Sequence, residues 1–230
     1  LAALAAPAAM VMAACTGEES TANSEAPTPL VVVPNDILGD LVSRVACVEE
    51  LEVRIGGLPE DGTTPVAILT LDEPVATDVP DPDGALLISV PAVTTTIDSP
   101  DGPDAWVWLD PIRFQELSEA VGGALAASGE FDAGLIDRCL ARIRAEMDLL
   151  DAELYELTQT IAESDRVMDV SLPGTLYFAN RFEFGIAETD AAVDAGRIMS
   201  VDSLGEANSY DELMRSNVED VVELLASQPR

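Results

Sequence analysis

The feature that most constrains this chain is an apolar stripe. Ile136, Leu140, Ile143, Met147, Leu150, Leu154, Leu157 and Ile161 follow one another at alternating spacings of four and three. That rhythm puts all of them on one side of a single long helix whose other side is charged. A second chain in a coiled coil would cover such a side. Strand-like segments lie on both sides of the helix in sequence, however, and they need a helix to cover them, so the pattern predicts an intramolecular spine over 130–164.

Before the spine, Leu30 to Val33 (LVVV) is a β-branched run closed by Pro34-Asn35-Asp36, and Ile37, Leu38, Leu41, Val42 and Val45 then recur at helical spacing. Leu51 to Ile55 reads as a strand ended by Gly56-Gly57, and the loop-rich stretch 58–84 contains another at Val66 to Leu71, with a further strand at Ala85 to Val90. A helix follows Trp108-Leu109-Asp110-Pro111, with Phe114, Leu117, Val121 and Leu125 on one face. Beyond the spine come a strand at Arg166 to Ser171, a helix at Tyr177 to Phe184, a strand at Arg197 to Val201 and a terminal helix at Tyr210 to Ala226. The expected fold is α/β, with two small α/β lobes, 30–129 and 165–230, joined by a long linking helix. The second lobe is reduced, because the roughly ten residues between Ile186 and Arg197 are too few for another strand-helix unit.

Composition narrows function more than fold. The chain has 43 Asp plus Glu against 11 basic residues, all of them arginine, for a formal net charge of -32. Such a surface repels phosphate backbones and anionic headgroups, so neither nucleic acid nor a polybasic membrane contact is expected. Self-repulsion on this scale predicts that folding needs screening salt. Histidine is absent, which removes the usual general base near neutral pH, the commonest transition-metal ligand and the ordinary Ser-His-Asp hydrolase. Paired carboxylates of a glycosidase kind carry little weight in a chain rich in acids and only 4% aromatic, and no enzymatic activity is expected.

Residues 1–14 (LAALAAPAAMVMAA) are small, apolar and uncharged, and they end directly at Cys15, after which the sequence turns polar. The junction is similar to a lipoprotein signal peptide, with Met12-Ala13-Ala14-Cys15 as the lipobox and the Cys15 thiol as the lipid acceptor. Leu1 stands without an initiator methionine or a basic n-region, which reads as a sequence beginning downstream of its true first codon. Residues 16–29 are too poor in apolar side chains to fold and read as a tether. Cys47 and Cys139 either pair in an oxidising compartment or stand as buried free thiols.

Four segments resemble the zinc- and manganese-binding solute-binding proteins of ABC transporters, the ZnuA- and TroA-like group. They are VVVPNDILGDLVSRV at the start, DAWVWLDP over 104–111, RVMDVSLPGTLYFANRFEFGI over 166–186 and SVDSLGEANSYDELMRSNVEDVVELL near the end. The second is similar to the group's Asp-Pro-His-Val-Trp-Leu-Asp-Pro box and is the most specific match. The resemblance implies an extracytoplasmic lipoprotein anchored to the cell membrane, an ABC permease as partner and a zinc or manganese ion as ligand.

It also implies where the ligands should be. Trp106 and Leu172 stand where the group has histidines, the stretch 58–65 has none, and Asp202 alone matches a ligand, the carboxylate of the Asp-Ser-Leu-Gly loop. Zinc affinity comes from about four converging N, O or S donors, which one carboxylate cannot supply. Asp61 or Glu183 joining Asp202 would rebuild an oxygen-only site for manganese, calcium or magnesium. Trp106 and Leu172 instead make the cleft more apolar, either a filled-in site or a pocket for a less polar ligand. The alternative to a transport receptor is a surface lipoprotein that has lost metal binding and serves as an interaction module or holds a non-metal ligand.

Overall fold

The computed structural model describes residues 28–71, 84–99, 102–187 and 189–227. The expected leader, Cys15 and nearly all of the expected tether lie outside the described residues, as does part of the loop-rich stretch 58–84.

β1 (Leu30–Val33) is buried along its whole length because it is an inner strand. Parallel neighbours flank it, β2 (Glu52–Ile55) on one side and β3 (Ala67–Thr70) on the other, with β4 (Leu86–Ser89) beyond β3. A parallel strand covered on both faces has no solvent side to pattern, so it reads as an unbroken apolar run. The turn after β1 starts α1 (Asp36–Ala46), where the Asn35 carboxamide accepts a hydrogen bond from the Leu38 N–H at 3.0 Å and satisfies one of the orphan donors of the first turn. α1 lays Ile37, Leu38, Leu41, Val42 and Val45, all fully buried, into the core beside the sheet. Strand order reverses between β1 and β3, so the crevice of this sheet lies outside the carboxyl ends of those two strands.

After β4 a short α2 (Val90–Val93) leads to an antiparallel hairpin, β5 (Ile97–Ser99) with β6 (Gly102–Asp104). A buried 3-10 turn, Val107–Leu109, then feeds α3 (Pro111–Ser128). Asp110 caps α3 by accepting from the Ile112 N–H at 2.9 Å, with Pro111 opening the first turn.

The spine is α4 (Ala133–Thr158), 26 residues and therefore about 39 Å long. Its stripe of Ile136, Ile143, Met147, Leu150 and Leu154 is buried against α3, α1 and the terminal helix α7 (Tyr210–Ala226), so the covering is intramolecular, as predicted. Arginines fasten each neighbour to it: Arg44 of α1 to Glu146 at 2.6 Å, Glu119 of α3 to Arg144, and Arg215 of α7 to Glu153 at 2.9 Å. Cys47 and Cys139 are joined as a disulfide with Cα atoms 6.4 Å apart, which decides between the two fates their sequence left open. Cys47 sits at the left-handed cap that ends α1, at φ 54, and Cys139 lies on the spine.

Beyond the spine, β7 (Val167–Met168), α5 (Thr175–Arg181), β8 (Gly185–Ile186) and α6 (Asp190–Ile198) form the second, smaller body, whose two strands pair in parallel. The architecture is the α/β arrangement expected from the sequence, two lobes joined by one long helix with the second lobe reduced. The local reading differs in two places. No strand forms over Arg197–Val201, and the short connection, which holds no further strand-helix unit, carries the unexpected helix α6. The reason is packing: Ala192, Ala195 and Gly196 give α6 a small-residue face, and Gly196 lies so close to β7 that an added Cβ would stand 2.6 Å from the Asp169 carbonyl oxygen.

Candidate functional site

The segment 104–110 is the hub at which the two bodies meet. Trp108 is fully buried and donates its indole Nε1–H to the carbonyl of Val201 at 2.8 Å. Its own carbonyl accepts the Tyr210 hydroxyl at 2.7 Å, and the Tyr210 ring stacks on Phe114 at 3.7 Å. Burial holds the Tyr210 hydroxyl well above its ordinary pKa, so it remains a neutral donor. Half-buried Trp106 lies against Trp108 with ring centroids 5.1 Å apart.

The loop that follows α6 is fixed from three sides. Asn217, buried on α7, accepts from the Ser200 N–H at 2.8 Å and donates to the Ser200 carbonyl at 3.0 Å. Asp36, at the carboxyl end of β1, accepts from the Leu204 N–H at 2.8 Å and the Ser203 hydroxyl at 3.3 Å. The loop therefore sits at the crevice of the first sheet, on the same wall as Trp108. Within it Asp202 is exposed and makes no hydrogen bond or ion pair among the described residues.

Against the same hub lies the turn 171–174, which contains half-buried Leu172. The Leu172 carbonyl accepts the Thr175 hydroxyl at 2.6 Å, and Gly174 takes φ 78 to enter α5. A Cβ on Gly174 would meet Leu109 Cδ1 at 2.9 Å and the Trp106 carbonyl oxygen at 3.0 Å. Only glycine tolerates both that φ and that approach. The segments bearing Leu172 and Asp202 thus both border residues 106–109, the stretch that begins with Trp106.

The oxygen donors do not assemble as a rebuilt site would require. The Asp61 carboxylate accepts from the Thr63 N–H of its own turn at 3.0 Å, which lowers its pKa. Glu183, in the left-handed region at φ 59, lies past the far end of α5 and pairs with Arg166 at 3.9 Å. Among the described residues no group of three or more Cys, Asp or Glu side chains stands together to hold a metal ion. A cavity of about 500 Å³ lined by Pro65, Val66, Leu86 and Ser128 opens at the other end of the sheet, where β3 and β4 begin.

Sequence reading missed Asn217, Asp36 and Tyr210 as the residues that hold this wall. Asn217 left a visible signal, a lone amide on the apolar stripe of Leu213, Met214, Val218 and Val221. Such a residue is buried only when its donors and acceptors are met.

No protein-family model matches the sequence, and no curated protein matches it either. Solved structures do match in fold. The periplasmic zinc-binding protein TroA of Treponema pallidum superposes with a TM-score of 0.67 at 15% identity, over 86% of this chain and 99% of that one. A periplasmic metal-binding protein of Candidatus Liberibacter asiaticus gives 0.66 at 14% identity, and its manganese-bound form 0.65 at 15%, over the same shares of each chain. At these identities the likeness is one of architecture, and the architecture of this chain is that of the TroA-like periplasmic metal-binding proteins.

Proposed function

We propose that this chain is an extracytoplasmic solute-binding lipoprotein of a metal-ion ABC transporter of the zinc/manganese type, in which most of the metal ligands have been replaced. One observation carries the reading. The segments that resemble the group's ligand-bearing boxes, 104–111, 166–186 and 200–205, are far apart in sequence, and they converge around Trp108 in a chain of that group's fold. In this reading residues 1–15 are the leader ending at the lipidated Cys15, 16–29 the tether, 30–129 the first lobe, 130–164 the linking helix and 165–230 the second lobe. The permease is the partner, the cell membrane is reached through the lipid, and no enzymatic activity is assigned.

The metal is cargo, and Asp202 is the residue we assign to it. With imidazole gone and Trp106 and Leu172 in its place, the donor set is hard and sparse. It should prefer manganese or calcium over zinc, with a Kd on the order of 10⁻⁴ to 10⁻³ M, the range of weak oxygen sites. A second reading, an interaction module or receptor for a less polar ligand, is favoured by the lack of a three-donor group among the described residues.

Calorimetric titration with zinc, manganese and calcium, at low and at molar salt, separates the two. Heat that disappears in Asp202→Ala supports the transport reading, and silence from all three ions hands the case to the second. Without metal, Asp202→Ala should shift unfolding by no more than about 0.5 kcal/mol, because the side chain is exposed.

A further inference from the structure

We propose that the outward face of the spine is a docking surface for a second copy of this chain, laid antiparallel across a two-fold axis. Arg138, Arg142, Ala145, Leu149, Ala152 and Glu156 follow one another at alternating spacings of four and three, and all six are exposed. They form a second heptad stripe on the side of α4 opposite the buried one. Leu149, at its middle, is 73% exposed, more than any other large apolar side chain among the described residues. A single exposed leucine needs no explanation by itself. The charges that flank it supply one.

The stripe is basic at one end and acidic at the other. Turned end for end, a second copy sets Arg138 against Glu156, Arg142 against Ala152 and Ala145 against Leu149, and the axis repeats each layer in reverse. Each layer joins an a position to a d position, as an antiparallel coiled coil does. A parallel copy would set arginine on arginine and glutamate on glutamate. Within the chain, Arg144 pairs with Glu119, Arg142 with Glu146 and Glu153 with Arg215, whereas Arg138 and Glu156 make no hydrogen bond or ion pair among the described residues. The dimer therefore pairs two charges that the fold leaves unpaired. The contact runs about 27 Å along the helix, and one helix pair of that length lies at the small end of specific interfaces. Asp148 of each copy falls beside the axis, and each chain carries a net charge of -32, so the dimer is weak and forms in salt that screens like charges.

Sedimentation velocity of the full chain over a concentration series tests this. The salt is about 1 M, where a Debye length of about 3 Å removes distant repulsion and leaves charges in contact within reach. The wild type should show a monomer–dimer equilibrium. Leu149→Asp should weaken it by more than about tenfold, and because the side chain is exposed in the monomer, the melting temperature of the monomer should not move. Arg138→Glu should weaken the dimer by about threefold, and the double variant Arg138→Glu with Glu156→Arg should restore the wild-type constant. A chain that stays monomeric at every concentration overturns the proposal. So does association that ignores Leu149→Asp, as association through the apolar residues 1–14 would. A double variant that stays as weak as Arg138→Glu overturns it too.

Discussion

In the first body all four residues of β1 are buried, and α1 sets five fully buried apolar side chains into the core beside it. In the second body each strand is two residues long, and both residues of β8 are exposed. The second body does have a nucleus, with Phe178 packed against Phe182 at 4.7 Å and Phe184 at 5.5 Å. Two strands alone do not make an independently stable sheet, so its position depends on what it is fastened to: the spine through Arg181, the hub through Gly174 and Tyr177, and α7 through Asn217. One body is held by its interior and the other by its edges.

The largest effect that could test this contrast is loss of the Cys47–Cys139 disulfide, which closes a separation of 92 residues. Reduction, or the paired serine variant, should cost about 2–5 kcal/mol in urea unfolding. Because the bridge anchors the spine, protection of the α5 amides should fall with it. A second body left undisturbed would show that it stands alone and would erase the contrast.

The next effect is confined to the second body. Gly196→Ala places a Cβ 2.6 Å from the Asp169 carbonyl and should cost about 1–3 kcal/mol in thermal melts, although alanine in an open helix interior would gain nearly 1 kcal/mol over glycine. A rise in Tm would mean that α6 and β7 are not in close approach. The smallest effect is a dependence on pH. Tyr177 ionises near 10.0 in the unfolded chain and near 12 in the folded one, so the stability it contributes is complete below pH 10 and is lost as pH climbs toward about 12. Tyrosine absorbance followed alongside unfolding checks this, and early titration of Tyr177 would indicate a loose seam.

The same contrast governs what could be read from sequence. The elements with a strong period were legible: α7 has the expected bounds, Tyr210–Ala226, α3 starts where expected, and the spine is a single long helix, although it ends at Thr158 and leaves Ile161 beyond it. Their apolar faces are wide and regular, so periodicity alone places them. α6 was missed because its buried face is alanine and glycine, too small to stand out as apolar, while Arg197-Ile198-Met199 imitates a strand. The Thr189 cap, whose hydroxyl accepts from the Ala192 N–H, was the available sign. At the site, the segments were found by resemblance. Their joining was not legible, because it is made by backbone groups and by residues such as Asp36 and Asn217, which meet only in three dimensions.

Arg44 belongs to a chain whose basic side chains are all arginine, and at its position the choice of cation decides the local architecture. One of its nitrogens lies 2.6 Å from Glu146 on the spine, and another 2.6 Å from Asp211 on α7. A guanidinium is a flat plate with donors on several edges, so it can serve two carboxylates arriving from different directions, whereas an ammonium is a single point. Three helices therefore meet at one vertex. Lysine at that vertex would keep the charge and lose the joint.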